Sequence, residues 1–255
     1  MHADLAWLLL KPGVTLHGVQ SKNASVVWSE VPMHVVLVET PEGNLLWDTS
    51  CPRDWEQRWA PTGIQDFFPY GMVGEDEYLD SRLNAMGVGL DGIDYVVLSH
   101  LHLDHAGNAG LKNTHARLLC SDAEKKFAFG FEGPFNGGHL KADHEDLSWE
   151  TIAGDTETHP GVTLIQTPGH TPGSMSMRVD MVDSGTMVFT SDAVNMGASY
   201  GPPVFPATLV NNLEQFYTSV EKLRGVQEKT SATVVFGHDA NQIHQLRRAP
   251  EGSYT

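Results

Sequence analysis

Four side chains that can bind metal ions lie within six residues of this chain. The segment LSHLHLDHAGN, residues 98–108, places His100, His102, Asp104 and His105 directly after an apolar run. A neutral imidazole offers a nitrogen to a transition metal, and a carboxylate offers an oxygen that can bridge two ions. On an extended backbone His100 and His102 point the same way, and a turn after Leu103 can direct the next two ligands elsewhere. The cluster therefore predicts one motif that supplies two metal positions.

Three more polar residues follow apolar runs in the same way. His170 lies in TPGHTPGS after VTLIQT, Asp192 ends TMVFTSD, and His238 follows ATVVFG. The ends of buried strands are where open α/β proteins hold ligands. A single histidine there is more often hydrogen-bonded than metallated, but three such residues beside the cluster favour a dinuclear centre. The remaining histidines lack this context and are interpreted as structural: His2, His17, His34, His115, His139, His144, His159 and His244.

Strand-like and helix-like patterns alternate along the chain, which is typical of a layered α/β fold. An apolar run at residues 5–10 predicts a first strand. Further strands are predicted at 34–39, 44–49, 93–98, 116–121, 162–167, 174–181, 186–192 and 232–237. Helical periodicity covers 77–86 and 213–223, and Asn211 with Glu214 predicts a capping box at the start of the second helix. Long loops are predicted at 51–74, 127–143 and 195–207, because these stretches are rich in glycine, proline and aromatic residues.

Length and composition predict one globular domain over residues 1–255, since 40% of the residues are hydrophobic and 19% are charged. Sixteen basic against 32 acidic residues give a formal net charge of −16, which disfavours nucleic acid and anionic membranes as partners. The apolar run near the start is too short to span a bilayer and lacks the features of a signal peptide. Cys51 and Cys120 form no disulfide framework. A cytoplasmic location is expected.

On HLHLDH (100–105), TPGHTPGS (167–174), TSDA (190–193) and GHD (237–239), the chain resembles the metallo-β-lactamase superfamily. The resemblance implies an α/β fold, the αβ/βα four-layer sandwich, with metals at one edge between two sheets. It also implies that Asp48, at the end of LLWDT, holds a ligand histidine by its free N–H. The ligands implied are His100, His102 and His170 for one metal, Asp104, His105 and His238 for the other, and Asp192 as the bridge.

Within this superfamily the chain most resembles the N-acyl homoserine lactonase group, in its length, its SHLHxDHAG and TPGHxPG contexts, and the short tail after GHD. Class B β-lactamases, RNA-processing members, glyoxalase II-like thioesterases and flavodiiron proteins fit less well. One position departs from the lactonase pattern, which commonly has a tyrosine three residues after the bridging aspartate. Here that residue is Asn195, whose amide can donate a hydrogen bond to substrate. Tyr200 or Tyr70 could instead supply the missing hydroxyl.

The expected reaction is the opening of a lactone ring, an N-acyl homoserine lactone or a related lactone, by a hydroxide that bridges two divalent metal ions. Zinc is the default metal, with iron, cobalt and manganese as alternatives. Asp104 and Asn195 are the catalytic candidates, Asp104 because it can pass a proton to the leaving alkoxide. A thioesterase or another ester hydrolase, and a di-iron oxidoreductase, are the alternatives. A small-molecule lactone or ester is the expected partner, homodimerisation is a further expectation, and the reaction would degrade quorum signals.

Two aromatic clusters in the predicted loops allow two interpretations. They either pack in the core or a dimer interface, or line an apolar pocket for an acyl chain. The residues are Trp55, Trp59, Phe67, Phe68 and Tyr70 in the first loop, and Phe127, Phe129, Phe131 and Phe135 in the second.

Overall fold

The structure, a computed structural model, describes residues 2–3, 29–66, 74–110, 115–201 and 210–255. The strand predicted at residues 5–10 and the aromatic residues Phe67, Phe68 and Tyr70 lie outside these ranges. Two short strands, β1 (His2–Ala3) and β2 (Ser29–Glu30), pair antiparallel. The rest of the described chain forms two larger sheets with helices outside them.

The first sheet has five strands in the order β3 (Val36–Thr40), β4 (Gly43–Trp47), β5 (Tyr95–Val97), β6 (Arg117–Ser121) and β9 (Trp149–Ile152). The strands β3 and β4 form an antiparallel hairpin, whereas β4, β5, β6 and β9 run parallel. Strand β4 is buried on both faces, because Leu45 and Trp47 pack on one side of the sheet and Leu46 packs on the other. The predicted strands at 44–49, 93–98 and 116–121 lie here. Strand β9 was not predicted, because its two central residues, Glu150 and Thr151, are polar and the segment therefore contains no apolar run.

The second sheet also has five strands in chain order. These are β10 (Thr156–His159), β11 (Val162–Gln166), β12 (Met175–Met181), β13 (Gly185–Phe189) and β14 (Thr233–Val235). The first four alternate in direction, and β14 runs parallel to β13. Strands β11, β13 and β14 therefore share one direction, and their carboxyl ends meet at the same edge of the sheet.

The two sheets pack face to face, with Leu45 and Trp47 of the first against Leu164, Met175 and Met177 of the second. Helices cover the outer faces. The first sheet carries α2 (Leu79–Ala85) and α4 (Asp122–Gly130) through a cluster that contains Leu79, Leu83 and Ala128, and the second carries α5 (Leu213–Thr230) through Phe216, Val220 and Leu223. This arrangement confirms the predicted α/β class and the four-layer αβ/βα sandwich.

Several predicted details differ from the structure. Helix α5 is capped by Asn212, whose side chain accepts a hydrogen bond from Gln215 N at 3.0 Å, and not by Asn211. Asn211 instead donates its backbone N–H to the His170 carbonyl. The loops predicted at 51–74 and 127–143 contain α1 (Trp55–Trp59), the end of α4 and the hairpin of β7 (Phe135–Asn136) and β8 (His139–Leu140). Two more short helices are α3 (Leu103–Ala106) and α6 (Ala240–Ile243).

Across the described ranges, no helix is both long and apolar enough to cross a membrane.

Candidate metal centre

The predicted ligands converge at one edge of the sandwich, where loops from both sheets meet. His100 follows β5, His170 follows β11, Asp192 follows β13 and His238 follows β14. All four of these side chains are buried, together with His105. Three overlapping groups have their ligand atoms within 4.8 Å of one another: His100, His102 and His170; His100, His105 and Asp192; and Asp104, His105 and His238.

The first group consists of His100, His102 and His170. Nδ1 of His102 and Nε2 of His170 face each other at 3.0 Å. Nδ1 of His100 lies 3.0 Å from Ser99 Oγ, which leaves Nε2 of that ring for the site. This nitrogen is buried and has no hydrogen-bond partner among the described residues. Three imidazole nitrogens thus surround one position.

The second group consists of Asp104, His105 and His238. The Asp104 Oδ2 atom lies 3.5 Å from His105 Nε2 and 3.8 Å from His238 Nε2. His238 donates from Nδ1 to the Pro32 carbonyl at 2.9 Å, so the opposite nitrogen of the ring is directed into the site. Asp104 and His105 lie on the single turn of α3, which begins right after His102 and gives the change of direction predicted for the motif.

Asp192 lies between the two groups. Its Oδ2 atom is 3.3 Å from His170 Nε2, and its Oδ1 atom is 3.1 Å from His105 Nε2 and 2.9 Å from His238 Nε2. The residue lies in a short 3-10 turn after β13, in which Ser191 adopts a left-handed backbone with φ of 47°. One carboxylate therefore contacts ligand atoms of both groups.

The two groups have opposite electrostatic character. Burial lowers the pKa of His100 and His102 well below the usual value, and the neighbouring histidines lower it further. Burial also acts to lower the pKa of His105, but Asp104 and Asp192 outweigh it and hold the pKa well above the usual value. The pKa of His238 is raised in the same way, because Asp192 outweighs the effect of burial.

The donor set suits divalent cations. Imidazole nitrogens and carboxylate oxygens are the usual ligands of zinc and related metals. The unpartnered Nε2 of His100, and the close approach of His102 Nδ1 to His170 Nε2, give nitrogen atoms that a cation would satisfy. Around His105, the carboxylates of Asp104 and Asp192 lie close together, and a cation would stabilise their negative charge. The residues present therefore fit two metal ions.

Asp48 supports the second group from behind. Its Oδ2 atom lies 2.9 Å from His105 Nδ1, and its Oδ1 atom accepts from the Ser99 backbone N–H at 2.7 Å. The hydroxyl of Ser191 joins this network through a 2.7 Å hydrogen bond to Ser99 Oγ. Asp48 has a left-handed backbone with φ of 61°, an unusual conformation for a residue other than glycine.

Asn195 contacts Asp192. Its Nδ2 atom donates to Asp192 Oδ2 at 3.3 Å, and its backbone carbonyl accepts from His238 N at 2.8 Å. Tyr200 has a different place, because its hydroxyl donates to Gln227 on α5 at 3.0 Å and its ring packs against Phe236. Tyr200 is thus part of the hydrophobic cluster under α5, while Tyr70 lies outside the described residues.

Two histidines interpreted as structural border the site. The His139 ring lies 4.4 Å from the His102 ring, and His139 also contacts the buried carboxylate of Glu124. Burial, with a smaller effect from the nearby His238 and His105, lowers the pKa of His34 to about 4. Neither residue follows an apolar strand, so the signal that identified the other histidines was missing. For Glu124, the sequence did offer one signal. It lies three residues after Ser121, which ends a buried strand.

The aromatic residues of the first predicted loop that can be described belong to the core. Trp59 is fully buried in a cluster with Cys51, Leu103 and Leu140, and Trp55 packs against the same cluster. In the second loop, Phe127 stacks edge-on against His139 at 5.3 Å. Core packing therefore accounts for these two tryptophans, and Phe127 lies against His139, whose ring contacts His102.

Comparison with known proteins agrees with this geometry. The family model of the metallo-beta-lactamase superfamily matches residues 29–238. The N-acyl homoserine lactonase AttM of Azorhizobium caulinodans is 28% identical over 97% of this chain and 98% of its own length. The N-acyl homoserine lactonase AiiA of Bacillus thuringiensis subsp. kurstaki is 31% identical over 87% of this chain and 86% of its own length. A solved structure of an N-acyl homoserine lactone hydrolase, with the product N-hexanoyl-L-homoserine at its catalytic metal centre, matches with a TM-score of 0.78 and 26% identity, over 100% of this chain and 94% of that one.

Proposed function

This chain belongs to the metallo-β-lactamase superfamily, and on that premise we propose that it is a dinuclear lactonase that opens N-acyl homoserine lactones. The observation that carries the proposal is the contact of Asp192 with ligand atoms of two separate groups in one buried site. The lactonase relatives, matched over most of their length, favour this substrate class among those that the fold can hydrolyse. Both sheets contribute to the one site, so we treat residues 1–255 as a single catalytic domain.

We assign His100, His102 and His170 to one divalent cation and Asp104, His105 and His238 to the other, with Asp192 shared. We propose zinc for both, since imidazole and carboxylate ligands together suit it. When bound, two such cations supply Lewis acidity towards a carbonyl oxygen and acidify water. The chain itself orients two of the ligand imidazoles, through Ser99 at His100 and through Pro32 at His238.

Asp104 is our candidate for the proton transfer to the leaving alkoxide. Its side chain is 23% exposed, whereas that of Asp192 is 5% exposed, so Asp104 is the carboxylate of the pair that an incoming substrate can reach. Asp192 is also held by Asn195, His170 and His238. Asp104 therefore has the freedom to take up a proton from water and release it to the ring oxygen.

Asn195 is our second catalytic candidate. A carboxamide has two N–H donors, and one of them is used on Asp192 Oδ2. The other can donate to the substrate carbonyl as negative charge develops on it. This assignment gives the asparagine a part of the work that a phenol would perform at the same position.

The physiological setting follows from the substrate. Cleavage of N-acyl homoserine lactones removes quorum signals, and we place the reaction in the cytoplasm because two cysteines in 255 residues make no disulfide framework. We also propose a homodimer, for which Leu213 and Tyr217, exposed one turn apart on α5, offer an apolar surface.

The test is hydrolysis followed with a pH indicator, on zinc-loaded and on metal-free protein. The substrates are short- and long-chain N-acyl homoserine lactones, plain γ- and δ-lactones, a linear ester and a thioester. We expect zinc-dependent opening of the acyl homoserine lactones at rates above all other substrates. A preference for the thioester or the linear ester would reject the lactonase proposal.

The second candidate function, a thioesterase or other ester hydrolase on the same site, is favoured by Asn195 in place of the tyrosine. The third, a di-iron oxidoreductase, is separated by metal analysis of protein purified without added metal. Stoichiometric iron with a visible absorption band would favour it, and colourless zinc protein would count against it.

A further inference from the structure

Glu124 is a buried carboxylate that lies behind the first metal group. It occupies the first turn of α4, directly after β6, and its side chain is fully buried. The helix is capped by Ser121, whose Oγ accepts from Glu124 N at 3.0 Å. Among the described residues no lysine or arginine pairs with Glu124. A carboxylate in this setting is costly unless hydrogen bonds replace its lost hydration.

Three donors from three different segments replace that hydration. Leu101 N donates to Oε1 at 2.9 Å, and Nε2 of His139 lies 2.8 Å from the same oxygen. The Thr171 hydroxyl donates to Oε2 at 2.5 Å. Burial acts to raise the pKa of Glu124, but these three contacts outweigh it and lower the pKa below the usual value. Glu124 is therefore ionised, and hydrogen bonds to an ionised acceptor are about twice as strong as neutral ones.

Each of the three donors is adjacent to a ligand of the first group. Leu101 lies between His100 and His102, and Thr171 directly follows His170. The ring of His139 packs edge-on against the His102 ring at 4.4 Å. One carboxylate thus connects the two segments that carry all three histidines of the group.

Two glycines allow these segments to come together. A Cβ atom at Gly173 would collide with the backbone N of Glu124 and with Ser121 Oγ. A Cβ atom at Gly138, next to His139, would lie 2.7 Å from Cγ of His102. Only residues without a side chain permit both approaches, so the close packing around Glu124 is built into the chain.

We propose that Glu124 is a positioning residue for the first metal position. As an ionised carboxylate it holds Leu101, Thr171 and His139 in one arrangement, so that the histidines beside them present their nitrogens to a single point. The proposal rests on the proposed function only in assigning a cation to His100, His102 and His170. It predicts that loss of the Glu124 charge weakens the binding of one cation and leaves the binding of the other unchanged.

The test compares Glu124→Gln with Glu150→Gln, a matched substitution at an exposed residue that pairs with Arg117. The two zinc dissociation constants of each holoprotein are measured by competition with a chromophoric chelator. Glu124→Gln should weaken one constant by roughly 10- to 100-fold and leave the other within a factor of about two. Glu150→Gln should change neither. Two unchanged constants in Glu124→Gln would overturn the proposal.

A second readout does not depend on bound metal. Nitrogen-15 NMR of the histidine rings in the metal-free protein reports the protonation and tautomer of each imidazole. In Glu124→Gln the resonances of His139, His102 and His170 should shift, while those of His105 and His238 should stay in place. Equal shifts in both groups, with a fall in thermal stability, would show a general folding role and reject the proposal.

Thr171→Val provides the test if Glu124→Gln does not fold, because it removes one donor and retains the carboxylate. Thr171→Val should weaken the same zinc dissociation constant as Glu124→Gln, but by a smaller factor. In the double variant the two effects should be less than additive, since both act through one contact; full additivity would contradict the proposal. Wild-type protein that binds two cations but opens no lactone would reject the proposed function alone.

Discussion

The two metal groups are supported in different ways. Asp48 contacts a ligand ring directly, at His105 Nδ1, and shares its second oxygen with the Ser99 backbone. Glu124 contacts no ligand ring and acts through a backbone amide, a hydroxyl and a histidine outside the ligand set. A carboxylate on the ring fixes the tautomer and raises the basicity of the ligand. A carboxylate such as Glu124, which contacts only the segments next to the ligands, fixes the positions of the ligand side chains and not their tautomers.

This difference agrees with the electrostatics of the two groups. His100 and His102 of the first group have pKa values well below the usual one, because burial dominates and the neighbouring histidines add to it. Those of the second group have raised pKa values because carboxylates surround them. His100 and His102 can therefore bind a cation as neutral imidazoles, whereas a cation that binds His105 and His238 has to displace protons from them.

The largest effect is expected where the two groups meet. Asp192→Asn leaves the shape of the side chain intact but removes the charge that contacts His170, His105 and His238. We expect lactone hydrolysis to fall to the level of the metal-free protein, while circular dichroism remains that of the wild type. Initial rates and bound zinc per chain are the measurements. Asp146→Asn, at an exposed position, is the control, and appreciable zinc-dependent turnover by the Asp192 variant would remove the bridging role.

The pH dependence of stability tests the packing below α4, where His144 contacts Ala128 and Phe129. His144 is buried below α4, and burial lowers its pKa to about 4, so the folded protein holds it neutral. Its contribution to stability is complete above the ordinary pKa of about 6.5 and is lost as pH falls towards 4, because the unfolded chain then takes up the proton more readily. This loss amounts to about 3 kcal/mol.

The measurement is the free energy of unfolding of metal-free wild type and His144→Gln at pH 7 and pH 4. The stability advantage of the wild type over His144→Gln should be smaller at pH 4 than at pH 7 by about 3 kcal/mol. His244→Gln, at an exposed position, should track the wild type at both values. If the difference in stability were the same at both pH values, the folded protein would take up a proton on His144 as readily as the unfolded chain does.

Asp48→Asn separates the two modes of support. Asparagine tolerates the left-handed backbone at this position, so the variant removes charge with little added strain. We expect one zinc dissociation constant to weaken by roughly 10- to 100-fold. It should be the constant that Glu124→Gln leaves unchanged. If both variants weakened the same cation, the assignment of one carboxylate to each group would fail.

The smallest effect is expected at Asn195. Its replacement by alanine removes a 3.3 Å hydrogen bond to Asp192 and the donor assigned to the substrate. A loss of about 1 kcal/mol in transition-state binding corresponds to a fall of kcat by roughly fivefold. Zinc content should stay at two per chain. Asn241→Ala, at an exposed position on α6, is the control, and equal kinetics in both variants would leave Asn195 without a catalytic part.

The sequence predicted those parts of the site that lie in strong local patterns. His100, His170, Asp192 and His238 each follow a buried strand, and parallel or alternating strands bring such ends to common edges. The four-layer fold followed from the family resemblance, and the layered α/β class followed from the alternation of strand and helix patterns along the chain. In the two large sheets, the strands that were missed are β9 and β10, which are short and contain polar residues that leave no apolar run.

The supporting residues could not be predicted because their partners are distant in sequence. Glu124 contacts Leu101 and Thr171, which are 23 and 47 residues away. His139 sits in a glycine-rich hairpin that resembles a loop in the sequence. Asn212 and not Asn211 caps α5 because Asn211 is drawn to the His170 carbonyl, a contact that exists only in the folded protein.

The left-handed backbone at Asp48 and Ser191 sets a limit on how far this protein can be stabilised by engineering. Such conformations cost about 1–3 kcal/mol each in residues other than glycine. Glycine would relieve that cost at either position. It would also remove the oxygen atoms that join His105 and Ser99 into one network. At these two residues, resistance to heat and fitness for catalysis are therefore opposed, and a search for thermostable variants should leave both unchanged.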